Sequence, residues 1–149
     1  MTVAIRNVNV ASDDVTTWPF EAIVTLIERG TIGDWAVLGR AIGADPWGGV
    51  ARQVSEWVAL SDEPDVAALL RRRIVRARAD LERNERAEVA ARVRQRVSES
   101  GLTSAEFARR IGTSRTRLST YCAGSVTPSA ALFLRIDRVT PRDDLSTSS

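Results

Sequence analysis

The sequence predicts an all-α protein, and three observations carry the prediction. From Phe20 to Val139 apolar residues recur at three- and four-residue intervals, the spacing that gives a helix one apolar face. Helix starts and stops punctuate these stripes, most clearly at Thr103, Gly112, Ser114 and Gly124. Hydrophobic residues make up 44% of 149, enough to fill the core of one ordinary domain or of two very small ones.

Residues 1–17 alternate loosely at Val3, Ile5, Val8 and Val10, then turn polar at Ser12, Asp13 and Asp14. They read as a flexible tail, with a short strand as the alternative. Residues 18–64 read as an amino-terminal helical region. Its first helix carries Phe20, Ile23, Val24, Leu26 and Ile27, with Thr17 as its cap, Pro19 in the first turn and Gly30 at its end. The second runs from about Ile32 to Ile42, presents Trp35, Leu38 and Ile42, and stops at Gly43. Asp45-Pro46-Trp47-Gly48 reads as a turn, after which Val50, Val54, Trp57 and Val58 share the face of a third helix. Pro64 closes the region by disfavouring helical geometry at Glu63. All four tryptophans lie before residue 60. Either they anchor a compact core, or some of them line a groove for a protein partner.

Residues 65–88 form an arginine-rich linking or dimerisation helix. Val66, Leu69, Leu70, Ile74, Ala77 and Leu81 make its apolar stripe, and Arg71, Arg72, Arg73, Arg76 and Arg78 decorate the remainder. The stripe fades over residues 82–86, where a break or bend is expected; one long helix into the 90s is the alternative. This stripe packs either on the amino-terminal helices or on the same helix of a second subunit. The candidate partner surface therefore comprises Trp35, Trp47, Trp57, Leu70, Ile74 and Leu81.

Composition narrows the function classes. The chain has no histidine, which removes histidine-dependent nucleophilic catalysis within one subunit, and its lone cysteine, Cys122, can build neither a disulfide framework nor a thiolate metal cluster. No phosphate loop, dinucleotide fingerprint or calcium loop occurs, so no catalytic, metal or cofactor residue is assigned and no enzyme is expected. Without an apolar run of membrane-spanning length or a secretory leader pattern, a cytoplasmic protein with no membrane partner is the economical expectation. The net charge of +2 is unevenly spread. Residues 1–64 hold 4 arginines against 9 acids, residues 65–100 hold 10 against 6, and residues 101–149 hold 7 against 4. A polyanion is thus drawn to the back half and repelled by the front.

Residues 89–139 carry the sharpest pattern. Val89, Val93 and Val97 form a helical stripe that Gly101 ends. Thr103 then caps a short helix and Glu106 completes a capping box. Gly112 permits a tight left-handed turn, Ser114 caps the next helix, and that helix stops at Gly124. Ala108 lets the second helix cross the first closely, with Phe107, Ile111 and Leu118 beneath the crossing. The second helix is left with an exposed face of serine, threonine and arginine, side chains suited to the hydrogen-bond pattern of a DNA major groove. After Pro128 a closing helix adds Leu132, Phe133, Ile136 and Val139, and residues 140–149 are a polar, flexible tail.

Leu102, Thr103, Ala108, Gly112, Ser114, Tyr121, Gly124 and Pro128 together resemble the phage-repressor-type helix-turn-helix family, also called Xre or Cro/C1. The resemblance covers about a third of the chain. It departs at Ser104, where members often carry glutamine, and at Cys122, usually glutamate. It implies a lambda-repressor-like helix-turn-helix domain preceded by a helical amino-terminal region, dimeric binding to a double-stranded operator, and repression of transcription. Carried over by position, Ser114, Arg115, Thr116 and Arg117 lie nearest base edges, and Ser104, Ser119 and Thr120 nearer phosphates or groove walls. Arg92, Arg94 and Arg96 are candidate additional phosphate contacts, or else an ordinary solvated face. Small repressors with an added helical region also resemble antitoxins, which implies an alternative: residues 18–83 bind a toxin while residues 89–139 bind the operon promoter. Cys122 reads as a small packing residue rather than a redox sensor.

Overall fold

The computed structural model describes residues 14–141. Among them every regular element is helical: α1 (Phe20–Arg29), α2 (Ile32–Ala44), α3 (Gly49–Leu60), α4 (Pro64–Ser100), α5 (Ser104–Ile111), α6 (Arg115–Ala123) and α7 (Ala130–Asp137), with a single 3₁₀ turn at Val15–Thr17 before them. The chain divides into two compact units, Met1–Leu81 and Glu82–Ser149.

The first unit is built on large apolar side chains. Trp18, Ile23, Leu26, Leu38, Ile42, Val54 and Trp57 meet Ala67, Leu70, Ile74 and Ala77 of α4 in one core. Trp57, Leu70 and Ile74 are therefore mostly buried within their own unit, where their burial provides part of the core's apolar driving force rather than an exposed surface. Trp35 and Leu81 are half-buried. Trp47 alone of the four indoles is exposed, and its ring lies 5.4 Å from the Arg78 guanidinium carbon.

Three local expectations change. The tail proposed for residues 1–17 lies outside the described residues up to position 13. Beyond it, Asp14 caps the 3₁₀ turn and Val15 is buried in the core. Thr17 belongs to that turn, its hydroxyl donating to the Asp14 carbonyl at 2.8 Å, so Pro19 rather than Thr17 precedes α1. Gly43 does not stop α2, which continues to Ala44. Its missing side chain makes room instead for Arg73: a Cβ there would stand 2.7 Å from Nη2, which donates to the Gly39 carbonyl at 2.6 Å.

α4 is continuous over 37 residues, without the break expected at 82–86. Residues 82–88 are all exposed, so the apolar stripe fades there because no core covers the helix. The backbone stays helical because leucine, glutamate, arginine and alanine dominate and neither glycine nor proline interrupts them. No helix among the described residues is long and apolar enough to cross a membrane.

The second unit closes around Phe107. Val93, Ala108, Ile111, Leu118, Tyr121 and Ile136 surround it, and Val89, Val97, Leu102, Cys122, Leu132, Phe133 and Val139 pack on the outside. Phe107 is fully buried and Ala108 is 1% exposed, so α6 can cross α5 without a bulky side chain between them.

Candidate nucleic-acid interface

The paired helices are held at their ends by hydrogen bonds that the local sequence dictates. At the start of α5 the Glu106 amide donates to Thr103 Oγ1 at 3.2 Å, and the Thr103 amide donates to Glu106 Oε2 at 3.0 Å. This reciprocal box satisfies two of the amides a helix start leaves unpaired. α5 ends on Gly112, whose φ of 78° lies in the left-handed region. The Arg117 amide then donates to Ser114 Oγ at 3.1 Å, which starts α6. Gly124, at φ 75°, ends it.

The core fixes which side of α6 faces solvent. Leu118 and Tyr121 are buried, and successive residues turn by about 100° around a helix. Opposite them lie Thr116, Ser119 and Thr120, with Arg115 on one flank and Arg117 on the other. Arg115, Thr116, Arg117 and Ser119 are exposed, and Thr120 is half-buried. The Thr120 hydroxyl donates to the Arg117 carbonyl at 2.6 Å, which leaves its oxygen as an acceptor only. α6 contains no carboxylate, so its solvent side offers hydroxyls and two cations. Ser104 is exposed in the first turn of α5, where helix amides concentrate positive potential.

The arginines on α4 divide differently from the sequence expectation. Arg96 Nη2 donates to the carbonyls of Asp137 at 2.6 Å and Val139 at 2.9 Å, while its Nη1 reaches Glu99 at 3.1 Å. Arg94 Nη1 donates to the Cys122 carbonyl at 2.6 Å. From α7, Arg135 Nη1 reaches the Ile111 carbonyl at 3.4 Å. These three guanidiniums thus sit on carbonyls at the carboxyl ends of α7, α6 and α5, where helices leave acceptors unpaired and favour positive charge. Arg92 forms a looser, exposed pair with Asp137 at 3.3 Å. Arg96, engaged on three groups and mostly enclosed, is not available as the phosphate contact proposed for it; Arg94 holds a helix end with one nitrogen and remains exposed. The signal that could have revealed this role was positional: Arg94 and Arg96 lie on the helix that carries the core-facing stripe Val89, Val93 and Val97, beside the ends of its neighbours.

Cys122 is half-buried against this core, and burial pushes its thiol above the usual cysteine range, an effect that the nearby Arg94 charge only partly opposes. That disfavours the reactive thiolate and agrees with a packing role.

Comparison with protein families settles the class of this pair of helices. Residues 65–145, more than half the chain, match the family model described as "Helix-turn-helix domain". The chain belongs to the helix-turn-helix family. No match was found among curated proteins or among solved structures. The matched range of the helix-turn-helix domain begins at the start of α4, so it includes helical turns that pack in the first unit's core as well as the pair itself.

Proposed function

We propose that this helix-turn-helix protein is a sequence-specific, duplex-DNA-binding transcriptional regulator of the phage-repressor (Xre, Cro/C1) type, acting as a dimeric repressor in the cytoplasm. The observation that carries the reading is the solvent side of α6. It is rigidly capped at Ser114, free of carboxylates, and lined by hydroxyls between two flanking arginines. A helix of this kind enters a major groove with Thr116, Ser119 and Thr120 toward the base edges. Arg115 and Arg117, on opposite flanks, reach outward to the two walls and to bases at the groove margin. Ser104 meets a phosphate at the start of α5, and Arg94 and Arg92 add long-range attraction. Two cations on one recognition helix give modest affinity, which is why the proposal includes a dimer reading two half-sites.

Selection from genomic DNA with the purified full chain tests the reading. A palindrome is expected to be enriched, and the salt dependence of its binding is expected to flatten by about one unit of log–log slope for each phosphate contact removed in Arg115→Ala or Arg117→Ala. No enrichment over random DNA would refute sequence-specific binding. A second reading, an antitoxin whose residues 18–83 bind a toxin, draws support from the first unit having a core of its own, separate from the helix-turn-helix. Co-purification with the product of an adjacent gene, surviving the Arg115 and Arg117 substitutions, would favour it.

A further inference from the structure

We infer that the first unit carries a docking groove for a basic amphipathic helix of a protein partner, between α1 and the end of α3. The groove has a volume of about 240 Å³ and is lined by Phe20, Val24, Trp57 and Leu60, with Glu28, Asp62 and Glu63 at its rim. Phe20, Val24 and Glu28 are spaced four apart on α1 and so lie in one row roughly 12 Å long, about two turns of an incoming helix.

Three features of this groove favour one kind of occupant. Leu60 is 75% exposed at the last position of α3, in direct line with the apolar floor. Glu28 stands in the last turn of α1, the end at which a helix disfavours negative charge. Among the described residues no ion pair reaches Glu28, Asp62 or Glu63. The surrounding sequence adds to the same field: residues 14–63 hold 3 arginines against 8 acids. A partner helix with leucine-like residues on one face and lysine or arginine along its flanks covers Leu60 and Phe20, neutralises the rim, and is steered in by the acidic field. An acidic or purely polar segment does none of these. The surface differs from the one sketched from the tryptophans, since only Trp57 is common to both and it forms the floor. The inference does not depend on the DNA-binding proposal.

The test uses the full chain and two labelled 18-residue helical peptides, one of leucine and lysine, the other of leucine and glutamate in the same spacing. Binding is read by fluorescence anisotropy at low and high salt. The leucine–lysine peptide is expected to bind, to weaken with salt, and to lose at least tenfold in affinity in both Leu60→Ser and the triple variant Glu28→Gln, Asp62→Asn, Glu63→Gln. A control pair, Glu21→Gln with Glu56→Gln, removes two acids that do not line the groove and is expected to leave affinity within twofold. Leu60 is exposed, so its replacement leaves the fold intact, which circular dichroism verifies. Equal binding of the leucine–glutamate peptide, or indifference to the groove variants, overturns the inference. So does concentration-dependent self-association abolished by Leu60→Ser, because the occupant would then be a second copy of this chain.

Discussion

Replacing Arg96 with methionine isolates the most enclosed of the three guanidinium clamps. Methionine preserves much of the apolar stem, so the loss is confined to the charged head. That head donates from one nitrogen to the Asp137 and Val139 carbonyls at 2.6 and 2.9 Å. A hydrogen bond from a charged donor is worth about 1.5–3 kcal/mol. The two carbonyls lie at a helix end, where fraying lets water replace part of the loss. The additional Glu99 contact is exposed and worth at most about 0.5 kcal/mol. Arg96→Met is therefore expected to destabilise the second unit by about 2–3 kcal/mol. Cys122 supplies the assay, because the sole thiol is half-buried against that unit's core and is alkylated faster when the core opens. Pulsed thiol labelling across a urea series reads the unit's stability directly. Arg92→Met is the control: its pair with Asp137 joins side chains 51% and 39% exposed, so its loss is expected to cost under about 0.5 kcal/mol. If the two variants lose the same small amount, the carbonyl clamp contributes nothing and the reasoning fails.

Three further outcomes follow from the geometry. Gly112→Ala places a side chain at φ 78° while its Cβ meets only Arg135 Nη1 at 3.6 Å; the cost is the backbone strain alone, about 1–2 kcal/mol, measurable by the same labelling. Thr103→Ala removes half of the capping box and is expected to cost about 1 kcal/mol, with faster amide exchange at Glu106 than at Leu118. At pH 8 native Cys122 is expected to react with iodoacetamide more slowly than a free thiol, since burial raises its pKa and lowers the thiolate fraction; reaction at the free-thiol rate would contradict the packing seen around it.

The helical class and the paired helices were legible because their determinants are local. Thr103 and Glu106, Gly112, and Ser114 each act within four residues, so sequence spacing specifies them almost completely. The continuity of α4 was not legible in the same way. A fading apolar stripe reports the end of burial, and over residues 82–88 burial ends while helical hydrogen bonding does not. That Trp57, Leu70 and Ile74 sit in the core was not legible for a related reason. Core and interface residues share one chemistry, and only the tertiary arrangement shows that these three already have apolar neighbours. The helix-end contacts of Arg94 and Arg96 were not legible because a cation at a helix end and a cation facing solvent look alike in sequence; the carbonyls they meet lie 28 to 43 residues away.

The bare turns of α4 have a consequence for how the chain meets a protease. Over residues 82–88 the helix is exposed and no apolar core resists local opening, whereas on either side a core must be breached. Arg83 and Arg86 lie in that stretch. Among the described residues, brief trypsin treatment should therefore cut there before reaching the arginines on either side, and cleavage after Arg86 releases a fragment that retains Val89, Val93, Phe107 and Ile136. A long helix of this composition, intact in the folded protein, doubles as the place where the described part of the chain is most readily divided.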